Sequence, residues 1–82
     1  MRKLEKAAEI HLEHLRKVRG AEALEAEMSS LDNRLETLAI ETRSTKGQMV
    51  SQMIKKAREA KNHELFIELM AWMAWRTKKK NS

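Results

Sequence analysis

Histidine is the residue of this chain best suited to chemistry, and two of its three histidines, His11 and His14, stand three positions apart. On a helix that spacing puts both imidazoles on one face, close enough to share a metal ion, with Glu9 or Glu13 beside them. No third ligand follows at a regular interval, and no glutamate stands three residues before a histidine, the arrangement a di-iron helix needs. Two helix-surface histidines are therefore expected, with no metal and no cofactor. His63 and the dispersed serines show no spacing that pairs a nucleophile with a base. A phosphate-cradling loop needs glycines at fixed intervals, which the isolated Gly20 and Gly47 cannot supply.

Binding is the chemistry that is left, and the stretch LFIELMAWMAWRTKKK, residues 65–80, is the place for it. Trp72 and Trp75 precede a lysine run in a chain whose one other aromatic residue is Phe66. Trp and Met dominate the hot spots and adaptable faces of protein interfaces. Phe66, Met70, Trp72, Met73 and Trp75 form the candidate apolar anchor for a partner, with Arg76, Lys78, Lys79 and Lys80 as its charged rim.

The elements that position these residues follow from composition. The 82 residues contain no proline and no cysteine, and Ala, Leu, Met, Glu, Lys and Arg dominate. This is a helix vocabulary almost without strand or turn residues, so the fold class is all-α. So short a chain sits near the limit at which a core outweighs chain entropy, and oligomerisation is a usual remedy when disulfides are excluded. The absence of cysteine fits a reducing compartment. Residues 1–17 are charged throughout, unlike a signal peptide, and the longest apolar stretch, Leu65 to Trp75, has 11 residues with Glu68 inside it. Roughly 20 are needed to span a bilayer. A cytoplasmic protein without a membrane span is expected.

The clearest periodicity is Ala21, Leu24, Met28, Leu31, Leu35 and Leu38, spaced like the a and d positions of a heptad. Leu4, Ala8, Leu15 and Val18 keep a similar rhythm upstream, and the frame slips at Gly20. A glycine inside a helix costs about 1 kcal/mol, which packing can offset, so continuity through Gly20 is slightly preferred to a break. A turn falls near residues 43–47, where Thr45 and Gln48 match a capping box, with Ser44 as a second candidate cap and Gly47 as a possible terminator. Beyond it Val50, Met53, Ile54 and Ala57 form one stripe, whose extension at about 100° per residue meets Trp72 and Trp75. Leu65, Phe66, Leu69, Met70 and Met73 occupy a different face. The segment 65–75 is thus apolar on two sides, as a core helix, a dimer interface or a docking face would be. KNHEL offers Asn62 as a cap that would restart a helix and cancel this angular reckoning.

The architecture expected is one domain: an antiparallel, coiled-coil-like hairpin with a helix over about 3–42, a turn at about 43–47, a helix over about 46–77 and a basic tail at 76–82, completed by a second copy. A compact three-helix bundle broken near Gly20 is the alternative. Charge supports the hairpin, because residues 20–42 carry a net −5 and residues 43–61 a net +5. Facing each other across a seam, the two would cancel. That leaves the overall +5 at the chain ends, where Arg2, Lys3, Lys6 and Lys78 to Lys80 gather at one pole.

The function expected is regulation of a larger protein by binding, without catalysis, since a narrow hairpin has little room for a water-excluding pocket. Nucleic acid is the alternative partner, with Arg16, Lys17, Arg19, Lys55, Lys56 and Arg58 as candidate phosphate contacts.

Overall fold

The protein is seen in a computed structural model that describes residues 3–81, with side chains over residues 6–79. Four helices follow one another: α1 (Lys3–Arg19), α2 (Ala21–Thr42), α3 (Lys46–Glu59) and α4 (His63–Asn81). All-α is correct, but each expected long arm is divided. The three-helix alternative, with its single extra break at Gly20, is also one helix short. A hairpin arm from Leu4 to Ile40 would be roughly 55 Å long at the helical rise. The folded chain measures only 34 × 27 × 25 Å.

Each break has a local cause. Gly20 adopts φ 87° and ψ 151°, a conformation nearly closed to residues with a Cβ. Its amide still donates to the Arg16 carbonyl and its carbonyl accepts from Leu24, so the chain changes direction without losing either hydrogen bond. The slight preference for continuity through Gly20 is therefore overturned. Glycine is what makes that turn available.

The other two breaks use no glycine. Arg43 (φ 56°) and Lys61 (φ 57°) take the left-handed conformation that ends a helix, and in each case the next amide reaches back across the last turn. Ser44 N donates to the Ala39 carbonyl at 2.9 Å, and Asn62 N donates to the Ala57 carbonyl at 2.8 Å. The new helices are then capped by side chains. Gln48 N donates to Thr45 Oγ1 and Thr45 N donates to Gln48 Oε1, both at 3.1 Å, completing the capping box. Leu65 N donates to Asn62 Oδ1 at 3.3 Å. Asn62 thus restarts the helix, and Gly47 lies inside the first turn of α3 as an ordinary helical residue.

The breaks let α4 become the centre of the molecule. It packs against all three other helices and most extensively against α1. Leu69, Met70, Ala71, Trp72 and Ala74 are all buried, which consumes both apolar faces of the segment 65–75. Of the three explanations for that excess, core is the one the fold adopts. On α2 the seam holds at Leu24, Met28, Leu31 and Leu35 and then passes to Ala39, while Leu38 turns half out and Ala21 is exposed. A true helix drifts past a 3.5-residue repeat by about 20° per heptad, roughly half a residue over this length, which is enough to favour Ala39 over Leu38 at the end of the seam. On α1 the buried set is Ala8, Leu12 and Leu15, with Val18 exposed. No helix of the described residues is long and apolar enough to cross a membrane.

Candidate binding surfaces

The two tryptophans are reached by different routes but are held by the same chemistry. Trp72 Nε1 donates to Asp32 Oδ1 at 3.1 Å, and Lys46 Nζ lies 3.1 and 3.2 Å from the two Asp32 carboxylate oxygens. Arg76, one turn further along α4, sits with its guanidinium carbon 5.3 Å from the Trp72 ring centroid. Trp75 Nε1 donates to Glu25 Oε2 at 2.8 Å, Lys79 pairs with Glu25 at 2.7 Å, and Lys79 Nζ lies 5.2 Å from the Trp75 ring. Each indole therefore joins α4 to a carboxylate of α2 and lies beneath a cation. The Lys79 ammonium and then the Trp75 N–H hold the Glu25 carboxyl below its ordinary range, against a smaller opposing effect of partial burial.

Most of the expected apolar anchor is spoken for by these contacts. Met70 and Trp72 are each 1% exposed and belong to the core. Phe66, Met73 and Trp75 are half-buried, and His11 closes on Phe66 edge to face at 6.1 Å. Among the described residues no three His, Asp or Glu side chains converge. The rim residues Arg76, Lys78 and Lys79 are exposed, and the Lys80 side chain lies outside the described residues.

Charge is distributed otherwise than the hairpin predicted. One ion pair joins α2 to α3 among the described residues, Asp32 with Lys46. Glu25 and Glu27 turn instead to Lys79 of α4 and Arg19 of α1. The basic residues of α1 are partly neutralised in this way, Arg19 by Glu27 and Arg16 by Glu13, to which Lys78 of α4 also reaches. Arg2 of the expected basic pole lies outside the described residues, and Lys78 and Lys79 are engaged within the chain.

Unpaired cations are densest around α3. Lys55, Lys56 and Arg58, with Lys61 just beyond, are exposed and pair with no carboxylate among the described residues. Arg58 lies 5.6 Å from the Phe66 ring centroid, which steadies it against α4 without neutralising it. The reason is geometric. Val50 and Ala57 are buried and Met53 and Ile54 half-buried, so the helix must turn Gln48, Ser51, Gln52, Lys55, Lys56, Arg58 and Glu59 outward along a continuous stripe.

A groove of about 1060 Å³ adjoins that stripe. It exists because α1 and α3 both pack on α4 and do not touch each other. Gln48, Ser51 and Gln52 line one wall, Glu9 the other, and Met73, Arg76 and Lys78 come from α4 beneath. Sequence reasoning named the cations of α3 but not this neighbourhood, whose one signal was the amphipathic stripe itself.

No protein-family model, no curated protein and no solved structure matches this chain.

Proposed function

We propose that this chain is a small, non-enzymatic nucleic-acid-binding protein that holds phosphates on the outer face of α3. The observation that carries the reading is the cluster of Lys55, Lys56, Arg58 and Lys61, four cations around the single carboxylate Glu59 with no ion pair among the described residues, in a chain of net charge +5. Cations left unpaired on a rigid helix neutralise phosphates without first breaking an internal ion pair, and the released counterions drive association. Lys17, exposed and unpaired among the described residues, adds to the same field, while Arg16 and Arg19 would have to leave their carboxylates. The reading belongs with the cytoplasmic setting that the cysteine-free sequence suggests.

The test is anisotropy of a labelled mixed-sequence 20-base-pair duplex against salt. Three to four phosphate contacts predict that affinity falls roughly 100-fold between 50 and 200 mM salt. Replacing Lys55 and Lys56 together by Ala lowers the salt slope by about 2. Absence of binding to DNA and to RNA at low salt rejects the reading.

A second reading, regulation of a larger protein by binding, is supported by the groove. Met73, Arg76 and Lys78 line it, and Trp72 borders it while keeping only 1% of its surface exposed, so part of the sequence-expected site faces open space even though Met70 does not. The homodimer expected of a hairpin belongs to this reading too. With Trp72 buried inside one chain, a second copy is no longer needed to cover it, and the mass in solution checks the point.

A further inference from the structure

We infer that α3 is a base-reading helix for double-stranded DNA, with Ser51 and Gln52 on base edges and the cations around them on the two phosphate strands. The inference rests on the nucleic-acid reading above and goes beyond it, because phosphate contacts alone carry no sequence information. Its first support is the order of side chains along the exposed stripe. Ser51 and Gln52 occupy the middle of α3, and Lys55, Lys56 and Arg58 the turns after them. Amide and hydroxyl groups on a helix face are what base edges in a major groove require, Gln pairing in bidentate fashion with adenine N6 and N7. Gln48 is excluded as a full reader, since its Oε1 already accepts the Thr45 amide.

The second support is access. A helix enters a major groove about 12 Å wide only if its flanks are clear for the two strands. One flank of α3 is the groove of about 1060 Å³ that separates it from α1, where Ser51 and Gln52 face the same space as Arg76 and Lys78. Arg76 has no carboxylate partner among the described residues and is held in place by the Trp72 ring beneath it. The other cations, Lys55, Lys56 and Arg58, lie on the same stripe closer to the carboxyl end of α3. Donors for phosphate thus stand on both sides of the two polar residues. Glu9 lies across the groove from Ser51 and Gln52, and Glu59 is the one carboxylate on the stripe itself, two turns beyond Gln52 at the end of α3. The geometry also chooses between duplexes, because the major groove of A-form RNA is too deep and narrow for side chains to read.

The experiment is selection of duplexes from a random-sequence library by the full chain, followed by anisotropy on the enriched duplex, a scrambled duplex and the matching duplex RNA. The expected result is an enriched sequence bound at least tenfold more tightly than the scrambled one. Gln52→Ala should remove roughly 5- to 150-fold of that preference while leaving scrambled-duplex affinity unchanged. Gln52 is exposed, and a circular dichroism spectrum confirms that the variant folds; Ser51→Ala is the second variant. Binding without enrichment, a preference that survives both substitutions, or duplex RNA bound as well as DNA overturns the inference and leaves phosphate binding standing. Failure to bind any nucleic acid overturns both.

Discussion

Trp72 and Trp75 form a comparison within one helix. Both donate an indole N–H to a carboxylate of α2, and both lie under a cation four residues further along α4. They differ in depth: Trp72 is 1% exposed, and Trp75 keeps one side in water. Equal polar contacts around unequal burial separate two contributions that usually come mixed. Burial removes a large apolar area from water, at about 25 cal/mol per Å². A solvated hydrogen bond or ion pair contributes far less, because water competes for both partners.

Trp72→Ala should cost about 3–5 kcal/mol, the range for emptying a buried aromatic site. In an 82-residue chain that is enough to unfold much of the population, and urea denaturation followed by circular dichroism would read it. A loss below about 2 kcal/mol would mean that the site collapses around the cavity and that the inner tryptophan is not the keystone its burial suggests.

Asp32 is the next place to press. Asp32→Ala leaves the buried Trp72 N–H without its acceptor and Lys46 without its partner, for about 2 kcal/mol in all. Asp32→Asn keeps an acceptor for the indole and removes only the charge, and should cost about 1 kcal/mol or less given that both ionic partners are partly exposed. Equal costs for the two variants would move the weight from the hydrogen bond to the ion pair.

Trp75→Ala follows, at about 2 kcal/mol and below the cost of Trp72→Ala, since the indole keeps part of its surface in water. Its counterpart Trp75→Phe leaves Trp72 as the one emitter, and the remaining fluorescence should be blue-shifted and resist iodide quenching. Quenchable emission from that variant would contradict the difference in depth.

Acid gives the smallest effect. Because Lys79 and the Trp75 N–H lower the folded-state value of Glu25 below its ordinary 4.5, the unfolded chain binds the proton more readily. The resulting stabilisation is complete above pH 4.5 and is lost as pH falls through the lowered folded value. Glu25→Gln should flatten that part of the stability profile by removing this small stabilisation near pH 7, so that the variant differs from the unsubstituted chain at neutral pH and converges with it in acid. An unaltered acid limb would show that Glu25 is not the group responsible.

The comparison also marks what could be read in advance. The capping box at Thr45 and Gln48 and the possible restart at Asn62 were legible because a cap is written in neighbouring residues, each with its own hydrogen bond. Gly20 was legible as a slip in the apolar frame. The ends of α2 and α3 were harder, since Arg43 and Lys61 adopt a left-handed conformation that glycine would have advertised. The expected site was recovered only in part. Residues 65–75 stood out as apolar on two faces, but whether such a face meets a neighbouring helix or a partner depends on how many helices the chain has.

By itself, the sequence determined the helical class, the capping box that starts α3, the candidate cap at Asn62 and the apolar weight of α4. Each depends on residue type and on spacing within a turn or two. The tertiary structure decided that α4 lies at the centre, that Trp72 is enclosed while Trp75 is not, that Glu25 and Glu27 turn away from α3, and that a groove opens between α1 and α3. These follow from the directions the helices take after Gly20, Arg43 and Lys61. Such directions are set by the packing of the whole core against solvent, which brings together residues as far apart as Asp32 and Trp72.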